Sequence, residues 1–353
     1  MNFYFLKHRF FSAVKRFFKS TVYPNKKSHF VWVGLHLDLA RHAFSVQYLK
    51  RLIDINSLLG INIFHLHLSD DQGWRFECKK YPRLHEIGSK RKETVVEKKF
   101  SFFGSSYEGD GTPYKKYYTQ EELRDLVFYA KKKNIIIVPE IDIPGHATAL
   151  LAAYPEYAFG EPPQGVATQW GIFKNVIKDS KESRIFLKDI FTEVMEVFDS
   201  PYIHLGGDEV SVVGYNKDPL LEDIALFIKD SGRTPVFWND ALEVAKKVDG
   251  IVMAWESLED VHKSLAKGVR TVCSSSSHLY FDYYQKADIS SEPLAIGGYT
   301  PYEKVKTLTL PDNPLLLGAQ AQLWTEYVKT EDQADYMLFP RLFAFADLMR
   351  MSR

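Results

Sequence analysis

In the segment YIHLGGDEV, residues 202–210, Asp208 and Glu209 stand side by side behind Gly206 and Gly207. Two glycines permit backbone geometry that a β-branched pair would not, and they leave room for a ligand to approach. Along an extended segment, neighbouring Cα atoms lie about 3.8 Å apart and successive side chains diverge. One carboxylate can therefore reach a leaving group while its neighbour reaches another substituent of the same molecule. A retaining glycosidase of the usual kind sets its two carboxyl groups across the scissile bond, about 5–5.5 Å apart. Consecutive acids suit a different chemistry if the substrate is a sugar with a 2-acetamido group, which can then be the nucleophile. Its carbonyl oxygen attacks C1, one carboxylate polarises the amide N–H, and the other protonates the glycosidic oxygen. A well-oriented internal nucleophile is worth an effective molarity of about 10⁵–10⁸ M. Electrostatics predicts the division of labour: an ionised Asp208 disfavours a second charge on Glu209, whose raised pKa keeps it protonated as the acid.

Other polar residues cluster at the ends of short apolar runs: Asp38 and Arg41; His67, Asp70 and Asp71; Glu140, Asp142 and His146; Trp238 and Asp240; Trp255 and Glu256; Trp324 and Glu326. Each has a structural reading when taken singly. Asp38 with Arg41 makes a rim ion pair, His67 a satisfied core histidine, and Asp142 before Pro144 a turn. Their joint placement favours a pocket, because carboxylates give sugar hydroxyls directional acceptors and indoles pack on the C–H face of a pyranose.

The elements that must carry these residues are eight short β-branched or aliphatic runs at 31–40, 61–70, 134–143, 202–210, 234–240, 250–257, 268–275 and 314–324. Helical periodicity fills 47–60, 119–134, 182–198 and 220–232, and Thr119 with Glu122 opens the second of these as a capping box. Alternating β/α units predict a closed parallel (β/α)8 TIM barrel over residues 31–353, with all strand C-termini on one face. Residues 90–118 lack periodicity and are expected to be a long surface loop after the second strand. The chain of 353 residues is 45% hydrophobic and 25% charged, which excludes a disordered chain. Its 45 basic and 45 acidic residues balance, so no nucleic-acid partner is indicated. Cys78 and Cys273 form neither a disulfide scaffold nor a CxxC motif.

The segments HLSDDQGWR (67–75), YYTQEELRDLVFYAKKKNIIIVPEIDIPGH (117–146), YIHLGGDEV (202–210), FWND (237–240), AQAQLWTE (319–326) and FPRL (339–342) resemble the family 20 glycoside hydrolases, the β-N-acetylhexosaminidases. The resemblance runs over roughly residues 31–350, and HLGGDEV with WTE is its most specific part. It implies retaining, substrate-assisted removal of terminal β-linked GlcNAc or GalNAc through an oxazolinium intermediate, with neither metal nor cofactor. Glu209 would be the acid/base, and Asp208 would hold the acetamido N–H. Tyr280 would bind the acetamido carbonyl, and Trp238, Trp255 and Trp324 would wall the sugar. Arg41, Asp282 and Glu326 would bind ring hydroxyls, with His146 and Asp71 or Asp70 behind the acid. The expected partner is an N-acetylhexosamine-containing oligosaccharide or glycoconjugate.

Two departures are visible. The chain resembles the family's single-domain branch, and SVVGYNKDP after GGDEV lacks a tryptophan that many members carry there. Two other functions fit the mouth residues: a silent sugar-binding barrel, and a metal-dependent hydrolase using His67, Asp142, His146 and Asp208. Residues 1–30 hold seven Lys or Arg and no acid, and residues 1–20 read as a basic amphipathic helix. Such a helix either adsorbs to an anionic membrane surface, or caps the barrel floor or leads from a further domain. With no export signal legible in it, the expected location is the cytoplasm.

Overall fold

A computed structural model describes residues 28–101 and 104–352, and the basic segment 1–20 lies outside them. Eight parallel strands close a barrel: β1 (Trp32–Asp38), β2 (Ile63–His67), β3 (Ile136–Glu140), β4 (Tyr202–His204), β5 (Thr234–Trp238), β6 (Ile251–Ala254), β7 (Arg270–Cys273) and β8 (Leu316–Leu323). β8 pairs back onto β1, with Trp32 opposite Gly318 and Leu37 opposite Leu323. Each of the eight apolar runs contains one strand, shorter than the run because the polar C-terminal residues leave the ladder for the loops.

Among the helices between them are α1 (Val46–Leu59), α2 (Gln120–Lys131), α3 (Lys181–Val197), α4 (Asp218–Asp230), α5 (Leu242–Lys247), α6 (Leu258–Ala266) and α7 (Tyr302–Lys306), with α8 (Arg341–Met351) closing the described chain after β8. Their starts follow local chemistry. Ser45 accepts from the Tyr48 amide, and Thr119 and Glu122 form the expected capping box. Alternation along the strands separates two cores. Val33, Leu35, Leu37, Phe64 and Leu66 face the helices. Trp32, Ile63, Val138, Val236, Ile251, Met253 and Val272 fill the barrel. Among the described residues no helix is long and apolar enough to cross a membrane.

The expected irregular loop at 90–118 is corrected. Strands Val95–Ser101 and Gly104–Gly109 pair antiparallel, and Lys90–Arg91 pairs with Tyr114–Lys115. So long a segment must find partners for its main-chain N–H and C=O groups, and two short ladders supply them. The run Val95-Val96-Glu97-Lys98-Lys99-Phe100 does not alternate, so its sequence carried no strand signal.

Candidate active site

The strand C-termini surround a cavity of about 280 Å³, lined by Arg41, Asp70, His146, Asp208, Glu209, Trp238, Trp255, Tyr280, Asp282, Trp324 and Glu326 together with Tyr283 and Ile296–Gly298. At the small end of the range for ligand pockets, this volume suits a single sugar ring. The aromatic wall is continuous: Trp255 stacks on Tyr280 with centroids 6.3 Å apart, and Trp238 lies 5.9 Å from Trp324.

The GGDEV segment is not extended, which corrects the sequence expectation. β4 ends at His204, and Gly206, Gly207 and Glu209 all adopt positive φ, at 67°, 92° and 51°. A Cβ on Gly206 would lie 1.7 Å from Asp142 Oδ1, so close approach as well as backbone angle demands glycine. Four side chains hold the turn, and one of them is His204, whose Nδ1 accepts the Gly206 N–H at 3.0 Å. Asp142 Oδ1 accepts the Gly207 N–H at 3.1 Å, Lys217 Nζ donates to the Gly207 carbonyl at 2.6 Å, and Asp240 Oδ1 accepts the Glu209 N–H at 3.2 Å. The two acids end at different depths, the Asp208 side chain 12% exposed and that of Glu209 30%.

Burial pushes the Asp208 carboxyl up to about 7, with His146 opposing and Asp240 and Glu209 adding to the rise. Asp208 therefore holds a proton more tightly than an exposed carboxyl, because desolvation outweighs the nearby cation. His146 is that cation. Burial works against its charge, yet Asp70 and Asp208 hold its pKa well above the ordinary imidazole range. Its Nδ1–H donates to Asp71 Oδ2 at 3.1 Å and Asp70 Oδ1 at 3.2 Å, and Nε2 points outward, 3.3 Å from Glu209 Oε2 and 3.7 Å from Asp208 Oδ2.

Beneath these groups lies a polar floor. Glu140, fully buried, faces His65 at 3.0 Å, His67 at 2.6 Å and His204 at 3.1 Å, and its Oε1 accepts the Trp238 indole N–H at 2.8 Å. Burial opposes charge on Glu140, but the surrounding imidazoles keep its pKa well below the usual carboxylate range. His67 uses both ring nitrogens, Nδ1 on Glu140 and Nε2 on Asp70 at 2.9 Å. The cluster named for a metal-dependent reading thus has His67 and His146 committed to neighbouring carboxylates.

On the opposite flank the Arg41 guanidinium donates to Gln72 Oε1 at 2.7 Å, pairs with Asp70 at 2.8 Å and Asp38 at 3.4 Å, and lies 5.4 Å from the Trp324 ring centre. Burial pushes Asp282 well above the usual carboxylate range, with Glu326 adding to the rise. Asp208 Oδ1 and Asp282 Oδ1 are buried without a hydrogen-bond partner among the described residues. Buried guanidinium groups grip the loops on this side. Arg91 donates to the Arg41 carbonyl at 2.7 Å, Arg75 to the Ala40 carbonyl at 3.0 Å, and Arg341 to the carbonyls of Tyr283 at 2.8 Å, Thr300 at 3.0 Å and Phe281.

Eleven of the twelve residues to which the resemblance gives a site role line the cavity. The other, Asp71, lies behind His146, where its Oδ1 accepts the Thr148 amide at 3.0 Å, while its neighbour Asp70 faces the cavity. Tyr283 and residues 296–298 were missed; Tyr283 directly follows Asp282, and the only signal at 296–298 is a Gly-Gly pair in a stretch without periodicity.

Residues 30–226 and 219–351 match the model of the glycosyl hydrolase family 20 catalytic domain. A β-hexosaminidase of Porphyromonas gingivalis is 38% identical over 349 residues, covering 90% of this chain and 43% of that relative. One of Akkermansia muciniphila is 30% identical over 360 residues, covering 91% of this chain and 68% of its own length. Among solved structures, a β-N-acetylhexosaminidase superposes with TM-score 0.80 at 28% identity, over 91% of this chain and 72% of that one. A mutant Streptomyces plicatus β-hexosaminidase in complex with GlcNAc gives 0.77 at 29%, over 91% and 64%. The chain thus spans less than half of the first relative's length.

Proposed function

The chain belongs to glycosyl hydrolase family 20, and on that premise we propose that it removes terminal β-linked N-acetylhexosamine with retention of configuration, the sugar's own acetamide acting as nucleophile. The reading is carried by two consecutive acids that reach one single-ring cavity at two depths. Glu209, the more exposed, is the acid that can reach a group leaving toward solvent. Asp208, deeper and with one oxygen unpartnered, stands where an amide N–H can be received.

In the first step the acetamide oxygen attacks C1 while Glu209 gives its proton to the departing glycosidic oxygen. Ionised Asp208 accepts the N–H and balances the positive charge on the oxazolinium ion. In the second step Glu209 takes a proton from water, whose oxygen opens the ring at C1 and returns the original anomer. Tyr280 donates to the acetamide oxygen, and Trp238, Trp255 and Trp324 exclude water around the methyl group and the ring faces. Arg41, Asp282 and Glu326 receive the ring hydroxyls.

The test is hydrolysis of 4-nitrophenyl 2-acetamido-2-deoxy-β-glucoside and its galacto epimer, beside the 2-hydroxy glucoside, with the first-formed anomer read by NMR. Cleavage of the acetamido substrates alone, giving the β-anomer, is expected. Equal turnover of the 2-hydroxy glucoside, or an α-product, contradicts the mechanism. No turnover of any of them favours a silent sugar-binding barrel.

A further inference from the structure

We infer that Asp240 is a positioning residue that aims Glu209 and Trp255 at the same sugar through one carboxylate with both oxygens in use. The inference rests on the hydrolase reading and adds to it a residue that does not line the cavity. Oδ1 accepts the main-chain N–H of Glu209 at 3.2 Å, and Oδ2 accepts the indole N–H of Trp255 at 3.0 Å. Asp240 sits in the tight turn Asn239–Ala241 directly after β5. Its neighbour completes the grip, because Asn239 Oδ1 accepts the main-chain N–H of Trp255 at 2.8 Å. The tryptophan is thereby fixed at ring and backbone by consecutive residues of the turn after β5.

Glu209 needs such a partner. At φ 51° it holds a left-handed conformation that a glutamate rarely adopts, so contacts outside the residue must maintain it. Asp142 and Lys217 hold the preceding Gly207 peptide, and Asp240 holds the Glu209 N–H itself. Of these three restraints, only that of Asp240 is shared with the aromatic wall. Displacing the indole therefore loosens the acid, and loosening the acid frees the indole.

The same carboxylate also acts electrostatically. Asp208 is faced by His146, Asp142 and Glu140 from the β3 side, Glu209 from its own turn, Tyr280 from the segment after β7, and Asp240 from β5. Lys217 reaches the back of the turn at the Gly207 carbonyl. Burial is the largest cause of the raised Asp208 pKa, and Asp240 adds to it. Removing the Asp240 charge lets Asp208 ionise at lower pH.

The deciding experiment measures kcat and KM from about pH 4 to pH 9 for wild type, Asp240→Asn, Asp240→Ala, Trp255→Phe and the Asp240→Asn/Trp255→Phe pair. An aryl glycoside and an unactivated disaccharide serve as substrates, and the free-enzyme profile reports Asp208. Asp240→Asn keeps the shape and one acceptor oxygen. It is expected to lower kcat on the disaccharide about 10- to 100-fold, with a smaller loss on the aryl glycoside. The acidic limb of kcat/KM should move to lower pH in both Asp240 variants, a displacement that a purely structural role does not produce. The Trp255→Phe effect should shrink in the Asp240→Asn background, because the shared hydrogen bond is already weakened. Wild-type kcat on the disaccharide, an unmoved acidic limb, or full additivity with Trp255→Phe overturns the inference while leaving the hydrolase reading standing. A wild-type enzyme inactive on both substrates overturns the hydrolase reading and this inference with it.

Discussion

The two flanks of the pocket are built on different principles. Around Asp208 and Glu209, on the side of β3 to β6, side chains hold side chains and main-chain amides with groups that titrate: His146, Asp142 and Asp240. Around Arg41, Asp282 and Glu326, on the side of β7, β8 and β1, the loops are held by guanidinium groups gripping carbonyl oxygens. Burial lowers Arg341 to about 9, which still leaves it charged at neutral pH. The first flank is held by carboxylates and an imidazole, and the second is fixed by guanidinium groups that stay charged, with Asp282 among them raised by burial. The difference matches the proposed division between moving a proton and recognising hydroxyls.

The comparison is tested most severely at the acid. Glu209→Gln should reduce kcat on an unactivated disaccharide by about 10²- to 10⁴-fold and on a nitrophenyl glycoside by much less. Equal losses on both would remove Glu209 from the acid role. Asp208→Asn should cost about 10²- to 10³-fold on both substrates, since charge stabilisation is needed whatever the leaving group.

That same substitution should stabilise the fold. Asp208 holds its proton more tightly in the folded chain, up to about 7, than in the unfolded chain, where carboxylates titrate near 4. Stability contributed by the bound proton is therefore lost as pH rises between these values. The Asn variant lacks that slope and should melt a few degrees higher than wild type at pH 8. A lower Tm at pH 8 would show that the Asp208 charge is compensated in the folded state. On the fixed flank, Arg341→Met should raise KM about tenfold and lower Tm by several degrees, because buried carbonyls lose their donors. Its pH profile should keep the wild-type shape, and a displaced acidic limb would erase the distinction between the flanks.

Sequence pattern located the frame well because the barrel's constraints are local. Each strand needs an apolar run and each helix a periodic face, and both are written in consecutive residues. The pocket was legible for a related reason: parallel strands deliver whatever stands at their C-termini to one rim. Three features were not legible because they depend on residues distant in sequence. The left-handed Glu209 depends on Asp142 and Asp240. The raised Asp208 pKa depends on burial beneath an aromatic wall. Which of Asp70 and Asp71 faces the cavity depends on the pairing of Ser69–Asp70 with Gly73–Trp74, and adjacent aspartates look alike until that turn is formed.

The floor carries a lesson for redesign. Because a single carboxylate, Glu140, faces three imidazoles and accepts the indole N–H of Trp238, these five side chains are coupled through one group. Exchanging Glu140 alone takes a partner from all four neighbours in a dry interior, so a barrel re-engineered for another sugar would have to keep that carboxylate or replace it together with the side chains around it.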